Sequence, residues 1–570
     1  MKKLIIILIS LITIPSFATV YYVATNGDNG AAGTIGAPWA TFHYAVTQAY
    51  AGDTVYFRGG TYYHTAQVTL SRSGTDGSPI TFINYPDETP IFDGINYPQS
   101  TTPASSIFGI YGINRSYIVF KGLTVRRIRN IHLDNGRAHG FYMQSSSDIT
   151  FDQCVVDSIA GRGYQVHNCR NVYFYNCDAT WCADPQLADA GNAGTGFIAS
   201  RSGTPLTGDM SDSIVYRGCR GWFNADQAFS SSDYYTVYDS CWAFLNGLHY
   251  LGYTSGAQNG FKPGYSFYDI DSIQVLMKNC LSVFNKGIGL NENTDGATTS
   301  KINYRVYNNL IAKNGTQGIM STYQHENLDN INKYVNNIAY DNGSWDMQIQ
   351  QSALHYFNSW DAPYYETTAT KYFNSPASVS DSDFKDIPAD SAECYALMTA
   401  ARQADGSLPD LGNYFKLRST SDLINQGIDV GLPYESTAPD LGAFEYSPAE
   451  PPAPPDVATG SITKLTPSSA LARITITSAG GGSILESGVC WSTSEDPTTS
   501  DSKTEEGENE GVFETIATGL VKGTTYYFRA YATNETTTSY GENVEYTTPS
   551  MVRVKDGDNW LKWNGKFIDW

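Results

Sequence analysis

The chain has 570 residues, 16% of them charged, and a formal net charge of −21. This length predicts more than one domain. An acidic, mostly uncharged polar surface excludes nucleic acid as a partner and suits extracellular life; a strongly anionic ligand would be repelled at long range unless a local cation offset the charge.

Lys2 and Lys3 precede the apolar run Leu4 to Ile14, and Ser16-Phe17-Ala18 supplies small residues for cleavage. Residues 1–18 are therefore expected to be a secretory signal, too short and wrongly flanked to span a membrane. The protein is expected to be secreted, extracellular or at the cell surface, and monomeric. Export permits disulfides. The nine cysteines are odd in number, and no Cys-x-x-Cys metal spacing occurs. Tyr21 to Thr25 reads as a strand. Phe42, Ala45, Val46 and Ala49 then share one helical face, with Gly52 as the stop. A helix here would cover the open strand edge of the first coil, which starts at Gly52-Asp53-Thr54-Val55-Tyr56-Phe57. Ile80 to Asn84 and Tyr117 to Val125 supply further strands.

Next comes a repeat. Gly, a bulky apolar residue and a variable residue recur at Gly140-Phe141-Tyr142, Gly163-Tyr164-Gln165, Gly196-Phe197-Ile198, Ala228-Phe229-Ser230, Gly260-Phe261-Lys262, Gly287-Ile288-Gly289 and Gly318-Ile319-Met320. Each is followed by an apolar run that carries Cys or Asn at a fixed place: Cys154, Cys177, Cys219, Cys241, Cys280, Asn309 and Asn337. Hairpins would show two-residue turns between paired strands. A return of the same residue type every ~30 residues instead marks a parallel β-helix, whose coils stack about 4.8 Å apart. The five cysteines of the column are expected as buried thiols rather than bridges.

After Gly343 the repeat loosens. Leu417 to Gly427 and Ala438 to Tyr446 read as the closing segment of the helix, so residues 19–446 form the long domain. Residues 447–459, Pro-rich from Ser447 to Pro455, are expected to be an extended linker. Residues 460–548 have the rhythm of a small β-sandwich. Within them Gly523-Thr524-Thr525-Tyr526-Tyr527-Phe528-Arg529-Ala530-Tyr531 resembles the late strand of a fibronectin type III domain, which implies a spacer or attachment role. The tail, residues 549–570, carries Trp560, Trp563, Trp570, Lys562 and Lys566 and is open between a hairpin, a carbohydrate-facing patch and a sorting signal. The fold class expected is all-β: a right-handed parallel β-helix with a short N-terminal capping helix, followed by a β-sandwich.

Stacking turns sequence positions into columns. The residue two after the repeat Gly gives Tyr142, Gln165, Ile198, Ser230, Lys262, Gly289 and Met320, and the residue before it gives His139, Arg162, Thr195, Gln227, Asn259, Lys286 and Gln317. If these face outward, Thr195, Asp226, Gln227, Ser230 and Lys262 make one patch. Lys262 stands out because its rung alone carries an amine there. The rungs, and Asn259-Gly260-Phe261-Lys262 in particular, resemble polysaccharide lyase family nine, secreted pectate-lyase-like enzymes. The resemblance covers most of residues 19–446. It implies an acidic polysaccharide substrate, Lys262 as the Brønsted base that takes the C5 proton of a uronate, and calcium held at Thr195, Asp226, Gln227 and Ser230. Only Asp226 of those four is a carboxylate, which makes a weak site for a cation that prefers several charged oxygens. Arg201, Arg220 or Lys286 are candidates to contact the anionic sugar instead. Two other readings stay open on the residues alone: a glycoside hydrolase on the same scaffold, and a non-catalytic carbohydrate-binding or adhesion protein.

Overall fold

The structure, a computed structural model, describes residues 18–97, 106–129, 137–184, 191–201, 213–232, 235–248, 256–264, 275–292, 303–321, 332–349, 354–356, 358–360, 378–447, 454–480, 483–534 and 536–549, with short strands between 555 and 567. The signal segment before Ala18 lies outside them. The chain divides into two compact units, residues 1–446 and 447–570.

The first unit is a right-handed parallel β-helix. Among the described residues its strands form three sheets of 12, 10 and 11 strands, each stacked in chain order by parallel pairing. The aromatic residue after the repeat Gly shows the stacking directly. Ring centroids of Tyr164, Phe197, Phe229 and Phe261 follow one another at 4.8 Å, with planes 5–6° apart, which is the strand spacing itself. A second interior stack runs Phe151, Phe174, Tyr216 and Tyr238. The repeat Gly has a steric cause: a Cβ on Gly140 would come within 2.7 Å of the Gly163 carbonyl and 2.9 Å of the Val156 side chain.

The cysteine column lies inside as expected. All nine cysteines are free and buried. Each member of the column follows a single residue in the left-handed region, such as Asn176, Gly218, Ser240 and Asn279, so a one-residue corner turns each coil. From Asn309 onward amides replace thiols: the Asn309 side chain donates to Asn337 Oδ1 at 2.9 Å, and Asn337 to Asn358 Oδ1 at 2.9 Å. A second ladder, Asn224, Asn246, Asn285, Asn314 and Asn342, runs in the same manner to Asp346. Each buried amide is satisfied by its neighbours one rung away, so the polar interior is affordable only because the rungs are in register.

The helix Phe42–Gln48 caps the first coils. Thr41 caps it by accepting from the Tyr44 amide at 3.2 Å. Phe42 enters the core against Phe57, Phe82 and Phe92, with centroids 4.5, 5.1 and 5.0 Å away. The span predicted as one strand from Tyr117 to Val125 is two, Ser116–Lys121 and Thr124–Arg126, separated by a turn at Gly122 with φ 63°.

Two expectations are corrected. The segment from Leu417 to Tyr446 does not close the helix as a last rung. Together with the helix Ser391–Met398 it covers the outer face of the eleven-stranded sheet: Leu411, Leu417, Leu423 and Leu441 are buried with Leu281, Leu310 and Ile338. From Trp222 onward that sheet's outward residues are apolar, as at Trp242, Phe244, Leu281, Val283 and Leu310, and require a cover. The rung read as Gly287-Ile288-Gly289 is Gly289-Leu290-Asn291, because Leu290 pairs with Phe261 and with Ile319. Gly289 therefore aligns with Gly260, and Asn291, not Gly289, stands beside Lys262.

The second unit has a three-stranded antiparallel sheet and a second sheet built on the strand Thr525–Thr533. Their shared core includes Ala472, Ile474, Val489, Trp491, Phe528 and Ala530. The first strand, Asp456–Thr466, begins inside the stretch expected as linker; extended chain beyond Pro455 finds a partner in Ser469–Ser478. Tyr526 accepts a hydrogen bond from the Val521 amide at 3.0 Å. In the tail, Lys555–Asp556 pairs with Asn559–Trp560, and Lys562–Trp563 with Lys566–Phe567. No helix of the described residues is long and apolar enough to cross a membrane.

Candidate active site

The strand Asn259–Pro263 belongs to the ten-stranded sheet. Alternation puts Phe261 inside and Lys262 outside, and the observed burial agrees: Phe261 is fully buried and Lys262 half-buried. Ser230 pairs with Lys262 on the preceding rung, and Ile198 with Ser230 before that. Thr195, Gln227 and Asn259 form the adjoining outward column in one register. The predicted patch of Thr195, Asp226, Gln227, Ser230 and Lys262 is thus assembled on one face.

Asp226 is its electrostatic centre. Its Oδ1 accepts from the Ala257 amide at 2.7 Å, and its Oδ2 from the Thr195 hydroxyl at 3.4 Å. Burial pushes its carboxyl above the usual carboxylate range; the Ala257 amide, Lys262, Thr195 and Arg162 pull the other way without prevailing. Lys262 makes no ion pair among the described residues, so its amine is held near Asp226 but not locked to it.

Calcium would need oxygen donors from this patch. Thr195 and Ser230 offer hydroxyls and Gln227 an amide oxygen, while both oxygens of the single carboxylate already accept hydrogen bonds. Among the described residues no group of three or more His, Cys, Asp or Glu is placed to hold a metal ion. One engaged, burial-penalised carboxylate does not fit an ion that takes six to eight oxygen ligands, several of them charged.

The three candidate sugar-contacting cations fare differently. Arg220 does not join the patch. It lies on the eleven-stranded sheet, buried, with its guanidinium bidentate to Asp178 at 2.9 and 2.8 Å and donating to the Met398 and Ala400 carbonyls. Lys286 is exposed at the turn after the strand Leu281–Val283, outside the column assigned to it, because the true neighbour of Asn259 is Ile288. Arg201 follows the strand Thr195–Ser200 on the same sheet as Lys262 and is half-buried.

The column before the repeat Gly adds Arg162 and Asn259 to this face, and Asp184, which no sequence pattern marks, acts on Arg162 there. Arg162 lies in step with Thr195, one rung back from it, and both Asp226 and Asp184 act on its charge. Asp184 is buried. Gln227 Oε1 and Asn259 Nδ2 are buried without a hydrogen-bond partner among the described residues. Buried polar atoms are normally satisfied, so these two, beside Lys262, are groups that a bound polar ligand would complete. The available signal was their position in the column before the repeat Gly.

This chain matches the family described as Pel9A-like, right handed beta helix region, over residues 21–327. It is 27% identical over 442 residues to Pectate lyase L of Dickeya chrysanthemi, spanning 75% of this chain and 90% of that protein. It is 27% identical over 359 residues to Pectate lyase PEL9 of Emericella nidulans, spanning 60% of this chain and 83% of that protein. The crystal structure of pectate lyase Pel9A superposes with a TM-score of 0.57 at 25% identity, covering 76% of this chain and 97% of that one.

Proposed function

The chain belongs to the Pel9A-like right-handed β-helix family and is a polysaccharide lyase, and we propose that it cleaves a uronate-containing, pectate-like polymer by β-elimination with Lys262 as the base. The observation that carries this reading is the half-buried Lys262, unpaired among the described residues, on an outward column whose other described members are uncharged or aromatic. The neutral amine takes the proton from C5 of a uronate. The electron pair of that C–H bond becomes the C4–C5 double bond, the bond from C4 to the glycosidic oxygen breaks, and the departing oxygen takes a proton from solvent. General-base transfer of this kind needs an amine within hydrogen-bond reach of the carbon acid, and only its neutral form is competent. Gln227 and Asn259, with their free buried polar atoms, would hold the sugar against the sheet.

Since the donor set around Asp226 does not fit calcium, no step is assigned to it, and Arg201, on the same sheet, is the candidate source of positive charge for the substrate carboxylate. Residues 1–18 are read as an export signal, consistent with a polymer substrate that does not enter cells.

The test is ultraviolet absorbance during incubation with uronate polymers, with calcium and with chelator, beside Lys262→Ala. The expected outcome is a rise from the unsaturated product that survives chelator and is absent in the variant, a loss of at least about 100-fold. Reducing ends released without absorbance would instead mean hydrolysis and would sink the reading.

A further inference from the structure

A second built site lies on the same face, toward the N-terminal end of the ten-stranded sheet. Phe108, Arg137, His139, Tyr142, Arg162 and Gln165 line a pocket of about 170 Å³. Its wall is aromatic: the Phe108 ring stacks on His139 at 5.1 Å and meets Tyr142 at 4.9 Å, and His139 meets Tyr142 edge-on at 5.0 Å. Its cations are two guanidiniums that no carboxylate pairs among the described residues. Arg162 donates to Gln165 Oε1 at 2.9 Å, but its Nε, the Arg137 Nε and the His139 Nδ1 are buried with no partner there. His139 is 3% exposed. Burial and the two arginines hold its ring far below the usual imidazole range, so it is neutral. Burial and the nearby Arg137 bring the Arg162 guanidinium down to about 10, still charged at neutral pH. Two like charges, buried donors without a partner and an aromatic wall, with Asp226 and Asp184 acting on Arg162 from outside the lining, form a site suited to an anion. Register fixes the distance to the base. Gln165, Ile198, Ser230 and Lys262 occupy successive rungs, so the near edge of the pocket lies three rungs, about 14 Å, from Lys262, and Tyr142 and Phe108 lie one and two rungs further.

We propose that this pocket binds the carboxylate and ring face of a uronate several residues along the chain from the bond being cut, and so anchors acidic polymer across the sheet. This rests on the lyase reading above. Guanidinium matches carboxylate geometry with two parallel hydrogen bonds, and the apolar face of a pyranose ring suits an aromatic wall as its hydroxylated edge does not.

The experiment is calorimetric titration of full-length Lys262→Ala protein, which leaves substrate uncut, with galacturonate oligomers of increasing length. Affinity should step up once the oligomer reaches from Lys262 to the pocket. The step should vanish for the methyl-esterified oligomer of the same length. Adding Arg137→Gln or Arg162→Gln should weaken the long de-esterified oligomer by about tenfold or more. Arg162 is the more enclosed of the two, so thermal melts accompany each variant, and the half-buried Arg137 keeps the test open if Arg162→Gln fails to fold. Equal affinity with and without the arginines, or no preference for the free acid, overturns the pocket while leaving the lyase reading intact. Absence of binding by any uronate oligomer, with no unsaturated product from the native protein, overturns both.

Discussion

At the residue scale the central relation is between Lys262 and Asp226. The Lys262 amine favours the Asp226 carboxylate, but burial works against that charge and prevails. Because the folded state raises the Asp226 carboxyl above its unfolded value, it keeps that proton to higher pH than the unfolded chain does. Stability therefore falls as pH rises through the interval between the two values. Asp226→Asn keeps the shape and an acceptor for the Ala257 amide. The variant should melt at or above the native temperature at neutral pH, with the difference closing in acid; a scanning-calorimetry series from pH 3 to 8 measures it. A variant that melts below the native protein at neutral pH would show that the contacts of the carboxylate outweigh its burial.

At the scale of the elements, one exception explains the repeat. Gly140, Gly163 and Gly196 pack against Val156, Val156 and Ala179 of the neighbouring sheet, whereas Ala228 carries a methyl and faces Gly221, where a Cβ would lie 2.6 Å from it. Space for one Cβ is shared between two strands. Gly221→Ala should therefore cost about 1–3 kcal/mol by overpacking, and Ala228→Gly should recover much of it, a coupling that a double-mutant cycle in urea detects. The same stacking made the fold legible from sequence, since neighbours on successive rungs must be alike in size, as the cysteine column and the Phe261 stack are. It also marks where reading by eye slips. Lys286-Gly287-Ile288-Gly289 offers two glycines, and only the pairing of Leu290 with Phe261 selects the second. Gly109-Ile110-Tyr111 obeys the repeat too, with Ile110 and Tyr111 pairing with Phe141 and Tyr142, yet it stands before the first rung recognised. Phe108 and the arginine pocket went unread with it. The pairing of Arg220 with Asp178 follows the register of the rungs, but its other acceptors, from residues 398 and 400, were beyond any local pattern.

Over the whole β-helix unit, division of labour among the faces decides where substrate can lie. The later rungs of the eleven-stranded sheet, from Trp222 onward, are covered by residues 378–446 through an apolar seam, and the seam is pinned by a buried ion cluster. Arg220 and Arg402 both pair with Asp178, and Arg402 also donates to the Gly218 carbonyl at 3.0 Å. Burial opposes the Asp178 charge, yet Arg402 and Arg220 outweigh it and hold the carboxyl below its ordinary range. Its stabilising contribution is thus present above the unfolded value and lost as pH falls through the folded one. Asp178→Asn would leave two enclosed guanidiniums without an anion, at a cost of about 3–5 kcal/mol. The cover should loosen first, so amide exchange should accelerate across residues 391–427 while the stacked Phe197–Phe229–Phe261 core stays protected. Denaturation at pH 7 should show the full penalty, and the penalty should shrink as pH falls through the folded value. Because the cluster lies on the eleven-stranded sheet and Lys262 on the ten-stranded one, elimination activity at temperatures below the shifted melt should persist. A loss of activity in step with the loosened cover would mean that the two faces are coupled through the core rather than independent.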